Sequence, residues 1–228
     1  IVAGKLGNQI AVLRRGLLRG RLNDDTLRSA CLEIRTLTTA LTGCDELDII
    51  RGYEGSAAAL YFSVFGRLLR NPWHFNGRNR RPPRDPINAM LSFGYTLLLS
   101  HVTSAAVTAG LDPCVGFLHP EYRGRPSMAL DLMEEYRSQV IDRLVISIAN
   151  QMILKPEHFS RTDDGGVFID AEARKNFIRR FSGRLDEEVR DETTGEVSTF
   201  RNHIFTSAQR FAASLRTGTE YRPFKASF

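Results

Sequence analysis

Gly116-Phe117-Leu118-His119 and, after a short loop, Pro126-Ser127-Met128-Ala129-Leu130-Asp131-Leu132-Met133-Glu134-Glu135-Tyr136-Arg137 decide how the rest of the chain is read. A histidine closes an apolar run, and a loop containing Arg123 and Arg125 follows. Pro126-Ser127 then opens a helix, because proline fits a first turn where its missing N–H leaves no bond unmade. Met128, Leu130, Leu132 and Met133 run almost continuously around that helix, so it is expected to be mostly buried. Asp131, Glu134 and Glu135 are three and four residues apart and can share one polar stripe. Buried carboxylates are costly unless a cation or a metal offsets them. One imidazole and two carboxylates, joined by a third carboxylate from elsewhere, form a ligand set for a divalent ion.

Working outward, 228 residues with 42% apolar content can build one large domain or two small ones with a real core. Cys31, Cys44 and Cys114 are odd in number and scattered, which excludes a disulfide framework and points to a reducing cytoplasm. The chain starts at Ile1 without a leader pattern and reads as beginning inside a longer polypeptide. The most membrane-like run, Met90 to Gly110, contains Ser92, Ser100, His101, Thr103, Ser104 and Thr108. It reads as a core helix rather than a span, with His101 a hydrogen-bonded core residue. Charge is uneven: residues 1–84 carry 14 basic and 7 acidic side chains, whereas the rest carry 17 and 19. Of the 31 basic residues 27 are arginine, whose planar fork suits phosphate, so a polyanion is expected against the first third.

The fold class read from periodicity is all-α, with one or two small hairpins. Residues 2–19 form a helix with Leu6, Ile10, Leu13 and Leu17 on one side and Lys5, Arg14, Arg15 and Arg19 elsewhere. Asn23-Asp24 caps a second helix, stopped at Gly43, and Asp45 caps a third. That third helix is nearly all apolar after Glu54, with small residues at 55–59 that allow close packing. A lone carboxylate entering such a segment either pairs with a cation or binds metal. Arg78-Asn79-Arg80-Arg81-Pro82-Pro83-Arg84 is a basic loop preceded by Trp73-His74-Phe75, a pairing that suits a nucleic-acid strand through stacking beside phosphate contacts. Asp85-Pro86 starts the long apolar helix, and the helix opening at Pro126 runs to about Leu154. Beyond it come a hairpin split by Asp163-Asp164-Gly165-Gly166 and an amphipathic helix from Ala171 to Val189. A turn at Thr193-Thr194-Gly195-Glu196, a last helix from Phe200 to Leu215 and an exposed tail complete the chain.

Five pieces in order then resemble one family: Gly4-Lys5 with Asn8-Gln9, Arg51-Gly52-Tyr53-Glu54-Gly55-Ser56, Arg80 through Tyr95, Gly116-Phe117-Leu118-His119, and Gly124-Arg125-Pro126 through Glu135. The chain resembles the CRISPR-associated integrase of the spacer-acquisition module, strongly over about 4–154, with 155–228 as a helical and hairpin extension. The resemblance implies a helical catalytic domain that binds Mg²⁺ or Mn²⁺ through Glu54, His119 and Glu134. Asp131 is the accessory acidic position and Glu135 a reserve. It also implies a homodimer flanking a small ferredoxin-like partner, the CRISPR-associated protein Cas2. That assembly inserts DNA fragments beside a repeat in a prokaryotic cytoplasm, and in some relatives the protein is fused to a reverse transcriptase or a second nuclease. The family's N-terminal β-rich domain has no counterpart before Gly4. Arg78, Arg80, Arg81, Arg84, Arg123 and Arg125 are the expected DNA contacts. The rival readings are a mobile-element integrase with the same site, and a non-catalytic DNA-binding subunit.

Overall fold

Helix α4 (Pro86–Thr108) begins where the sequence requires, with the Asp85 carboxylate accepting the Asn88 N–H and Pro86 in the first turn. The computed structural model describes residues 1–18, 24–120 and 122–227. Among these, α4 is the one helix long and apolar enough to cross a membrane. Its Ile87, Met90, Leu91, Leu98 and Val102 are instead buried against neighbouring helices. His101 departs from expectation: it is exposed and lays its ring on Phe181, with centroids 5.5 Å apart.

Ahead of α4 lie α1 (Val2–Leu18), α2 (Asp25–Ala40) and α3 (Leu47–Phe65), packed in sequence, with α3 also touching α1. Leu6, Ile10 and Leu13 are buried as the α1 periodicity requires, but so is Lys5, which the pattern assigned to the polar side. Arg19 and Asn23 lie outside the described residues. Asp24 caps α2 by accepting from the Leu27 N–H, and Gly43 turns the chain with φ 77°. Glu46, rather than Asp45, precedes α3, and it makes no side-chain cap. The small residues at 55–59 do not form a packing seam, since only Ala57 among them is buried.

The helix opening after Pro126 is continuous but not uniform. Helix α5 (Ser127–Tyr136) widens into a π-helical turn over Arg137–Asp142, which leads directly into α6 (Arg143–Asn150). The π turn lets the Arg143 N–H reach the Ser138 carbonyl, and such widened turns often mark functional sites. Helix α5 is buried almost all round, against α1, α4 and α8 (Phe200–Thr217).

The mainly helical reading holds, with two small antiparallel sheets. Strands β1 (Phe159–Arg161) and β2 (Val167–Ile169) form the expected hairpin, with Gly165 at φ 78°. Helix α7 (Ala171–Leu185) ends early, because Glu188–Asp191 becomes β3 and pairs with β4 (Val197–Thr199) around the predicted turn. The tail is exposed at Gly218, Thr219, Glu220 and Arg222, but its end is not. Ala226–Ser227 adds as β5 against β3, and Phe224 is fully buried, its ring 4.8 Å from that of Tyr136.

Candidate metal centre and nucleic-acid cleft

A cleft of ≈ 1100 Å³ opens between α1, α3, α4 and α5, and its walls carry Lys5, Glu54, His119, Glu134 and Arg137. Glu134 is 3% exposed. Burial pushes its carboxyl up, but the Arg137 guanidinium, the Lys5 ammonium and His119 overcome that and hold it at about 2. Arg137 Nε stands 3.2 Å from Glu134 Oε1, and Lys5 Nζ stands 2.7 Å from Oε2. Both contacts are ion pairs, and the Lys5 ammonium lies against Oε2 itself. Lys5 also hydrogen-bonds Glu54. The cation beside Glu54 is therefore Lys5, not Arg51, which bonds Asp48 and the Leu118 carbonyl.

Asp131 organises the histidine. Its two oxygens accept the Phe117, Leu118 and His119 backbone N–H groups at 2.6, 2.9 and 2.9 Å. The same carboxylate lies 2.6 Å from His119 Nδ1. A carboxylate already accepting three donors leaves Nδ1 as the fourth, so the His119 lone pair sits on Nε2. Nε2 is 3.9 Å from Glu134 Oε1, on the cleft side. Asp131 is fully buried and stands behind the imidazole, with no oxygen left for a second duty. Glu135 points elsewhere, accepting from the Phe224 N–H and the Tyr221 hydroxyl, and burial raises its carboxyl to about 7. The single polar stripe expected for the three acids is in fact three environments.

Of the expected DNA contacts, Arg80, Arg81, Arg123 and Arg125 line this cleft. Arg78 does not. It donates to Asn88 Oδ1 and Ser92 Oγ at 2.7 and 3.0 Å and lies over the Tyr95 ring, tying the basic loop to α4. Arg84 donates to the Asp164 carbonyl at 2.6 Å, bracing the loop on the β1–β2 turn. Of the preceding aromatics, His74 is exposed, but Trp73 is not available for stacking. Trp73 is buried with Nε1 donating to the Ala149 carbonyl, and Phe75 packs against Phe65.

Sequence reasoning missed Lys5, Arg137 and Asp142. Asp142 lies in the cleft wall, fully buried, accepting from the Tyr61 hydroxyl at 2.9 Å and the Tyr95 hydroxyl at 2.5 Å. Burial raises its carboxyl to about 6, against the pull of both tyrosines, Arg137 and Arg78. In an unfolded chain it ionises near 3.8. The folded state therefore holds its proton longer, and stability is lost as pH rises from about 4 through about 6. The loss amounts to ~3 kcal/mol by the usual conversion. Asp142→Asn is expected to unfold at higher urea than the parent at pH 7, with the difference gone at pH 4. Equal differences at both pH values would contradict this.

A family model described as CRISPR associated protein Cas1 matches residues 1–183. The chain belongs to the Cas1 family. The CRISPR-associated endonuclease Cas1 2 of Rhodospirillum rubrum is 40% identical over 232 residues, covering 98% of this chain and 67% of the relative. A casposase bound to integration product superposes with a TM-score of 0.79 at 28% identity, over 98% of this chain and 62% of that one. The Cas6-RT-Cas1–Cas2 complex contains a chain matching at TM-score 0.81 and 27% identity, over 100% of this chain and 24% of that one. The chain thus spans about two thirds of the length of the Rhodospirillum Cas1.

Among the described residues, no three His, Cys, Asp or Glu side chains are gathered at ligating distance. Lys5 stands between Glu54 and Glu134, and His119 Nε2 is 3.9 Å from the latter. A divalent cation nevertheless fits this Cas1 donor set. Two carboxylates already share one cation, and an oriented imidazole lone pair faces the same cleft.

Proposed function

We propose that this chain is the helical catalytic part of a CRISPR adaptation integrase and endonuclease. In this reading Glu54, His119 and Glu134 hold Mg²⁺ or Mn²⁺, and Asp131 orients His119. The observation that carries the proposal is the convergence of these side chains, drawn from α3, the 116–119 loop and α5, on one cleft rimmed by arginines. Integration is a transesterification in which a DNA 3′-oxygen attacks phosphorus and displaces another 3′-oxygen. A divalent ion, when bound, supplies positive charge to the phosphoryl oxygens. The chain's own contribution is positional and electrostatic. Arg80, Arg81, Arg123 and Arg125 bind phosphates, Arg137 keeps Glu134 ionised, and Asp131 fixes the ring whose Nε2 faces the cleft.

The casposase relative, seen with integration product, supports strand transfer over simple hydrolysis. The Cas6-RT-Cas1–Cas2 complex supports Cas2 as a partner, and the assembly proposed is a homodimer of this chain flanking it. The deciding test is strand transfer between a short DNA fragment and a repeat-bearing duplex, with Mn²⁺ or Mg²⁺ and again with EDTA. Product only with metal is expected, and product formed equally in EDTA refutes the reading.

The basic rim makes a second prediction. Arg80→Ala with Arg81→Ala is expected to weaken DNA binding and to flatten log K against log[salt] by about 0.9 for each phosphate no longer neutralised. Arg84→Ala should change the slope less, because its guanidinium is engaged by the Asp164 carbonyl. An unchanged slope in the double variant would remove the loop from the interface.

A further inference from the structure

Neither the metal site nor the DNA rim explains the place of Lys5 in the cleft. Its side chain is 8% exposed, and its ammonium touches Glu54 Oε1 and Glu134 Oε2, the carboxylates proposed to hold the metal. Two positive charges cannot share those oxygens at close range without severe repulsion. The ammonium and a divalent ion are therefore rival occupants of the same place. The local charges are already balanced, two carboxylates against Lys5 and Arg137. A divalent ion entering beside both cations leaves the cluster with two surplus positive charges, which a nearby phosphate offsets.

A displaced ammonium also has somewhere to go. Gln9 lies one turn further along α1 on the same cleft wall, four residues on, where side chains of a helix meet. It is 3% exposed, yet its Oε1 has no hydrogen-bond partner. A buried acceptor left unmade is costly, so an ammonium turning toward it gains a bond that the protein otherwise lacks.

We propose that Lys5 is an internal counter-cation that competes with the divalent ion for Glu54 and Glu134, moves to Gln9 Oε1 as the ion enters, and so makes metal loading depend on DNA phosphate. This rests on reading the cleft as a metal site. It adds a regulatory device, in which metal is held weakly without DNA and firmly with it. By reciprocity, metal tightens DNA to the same degree.

The experiment is a Mn²⁺ titration of the full chain followed by electron paramagnetic resonance, with and without a DNA duplex. Lys5→Met is expected to bind Mn²⁺ roughly tenfold more tightly than the parent without DNA, and to gain less from added duplex. Lys5→Arg, keeping the charge, should stay near the parent. Gln9→Met should weaken Mn²⁺ binding in the parent and do nothing in the Lys5→Met background. A purely structural lysine gives the opposite sign, because losing it would loosen the site. Lys5→Met binding equal to or weaker than the parent overturns the proposal, as does an equal Gln9→Met effect in both backgrounds. If Lys5→Met fails to fold, amine labelling of Lys5 in the parent serves instead. Mg²⁺ should raise its labelling rate severalfold, and an unchanged rate at saturating Mg²⁺ overturns the proposal. Failure of the metal reading itself looks different: His119→Ala would leave Mn²⁺ binding of the parent unchanged.

Discussion

Strand transfer is expected to fall at least about a hundredfold in Glu54→Ala and in His119→Ala, with DNA binding retained. The two variants remove different things from one cleft. Glu54→Ala takes away a carboxylate shared with Lys5 but leaves Glu134 beside both Lys5 and Arg137, so each of these cations keeps a carboxylate partner. His119→Ala removes the Nε2 lone pair but leaves Asp131 accepting three backbone N–H groups, so the 117–119 loop keeps its anchor. Loss of activity in these variants therefore reports the chemistry and not the fold. Asp131→Asn separates orientation from ligation. An amide cannot accept from the three backbone N–H groups and the imidazole together, because its nitrogen is a donor. It should cost about 10- to 100-fold in metal affinity, although Asp131 lies outside the cleft lining. If both alanine variants transfer strands at the parental rate with Mn²⁺ while still binding DNA, catalysis does not occur in this cleft.

What could be read in the one-letter code divides along a physical line. Capping is local, so Asp24, Asp85 and the turn glycines were legible, as were the apolar stripes of α1 and α5. The proposed ligands were legible as residues that local structure does not account for: a carboxylate in an apolar helix, an imidazole ending an apolar run and an acid on a buried face. Their partners were not. Lys5 meets Glu54 across 49 residues and Glu134 across a still longer stretch, and by periodicity it is one more basic residue on a helix. The same limit separates Asp131, Glu134 and Glu135. Helical spacing can place them near one another but cannot tell that the first anchors a loop, the second faces a cleft and the third receives the tail. The π turn leaves no compositional mark either, since Arg137–Asp142 is ordinary helical sequence. Trp73 and Arg78 were misread because aromatic and basic side chains serve a core contact as well as a ligand.

The tail carries the other large effect. Phe224→Ala should lower unfolding stability by about 3–5 kcal/mol, the range for emptying a fully buried aromatic site. In a chain of this size that is a drop of roughly 10 °C in Tm. An exposed tail residue would cost under about 0.5 kcal/mol, so the measurement separates the two readings cleanly. The large value follows from what Phe224 joins. Its ring stacks on Tyr136 at 4.8 Å and meets His203 at 5.1 Å, binding α5 to α8. Its N–H donates to Glu135 at 2.7 Å, and its carbonyl accepts from Asn8 at 3.0 Å. Asn8 in turn donates to the Glu135 carbonyl at 2.8 Å, so the tail clamps α1 to α5 one residue from Glu134 and three from Lys5. Loosening that clamp should let the two helices separate where the cleft carboxylates meet the ammonium. Phe224→Ala is therefore expected to weaken Mn²⁺ binding as well, at a temperature where the variant is still folded. Phe224→Leu, which keeps most of the apolar volume, should recover much of both losses. Recovery of stability without recovery of metal binding would show that the tail supports the fold but does not set the geometry of the cleft.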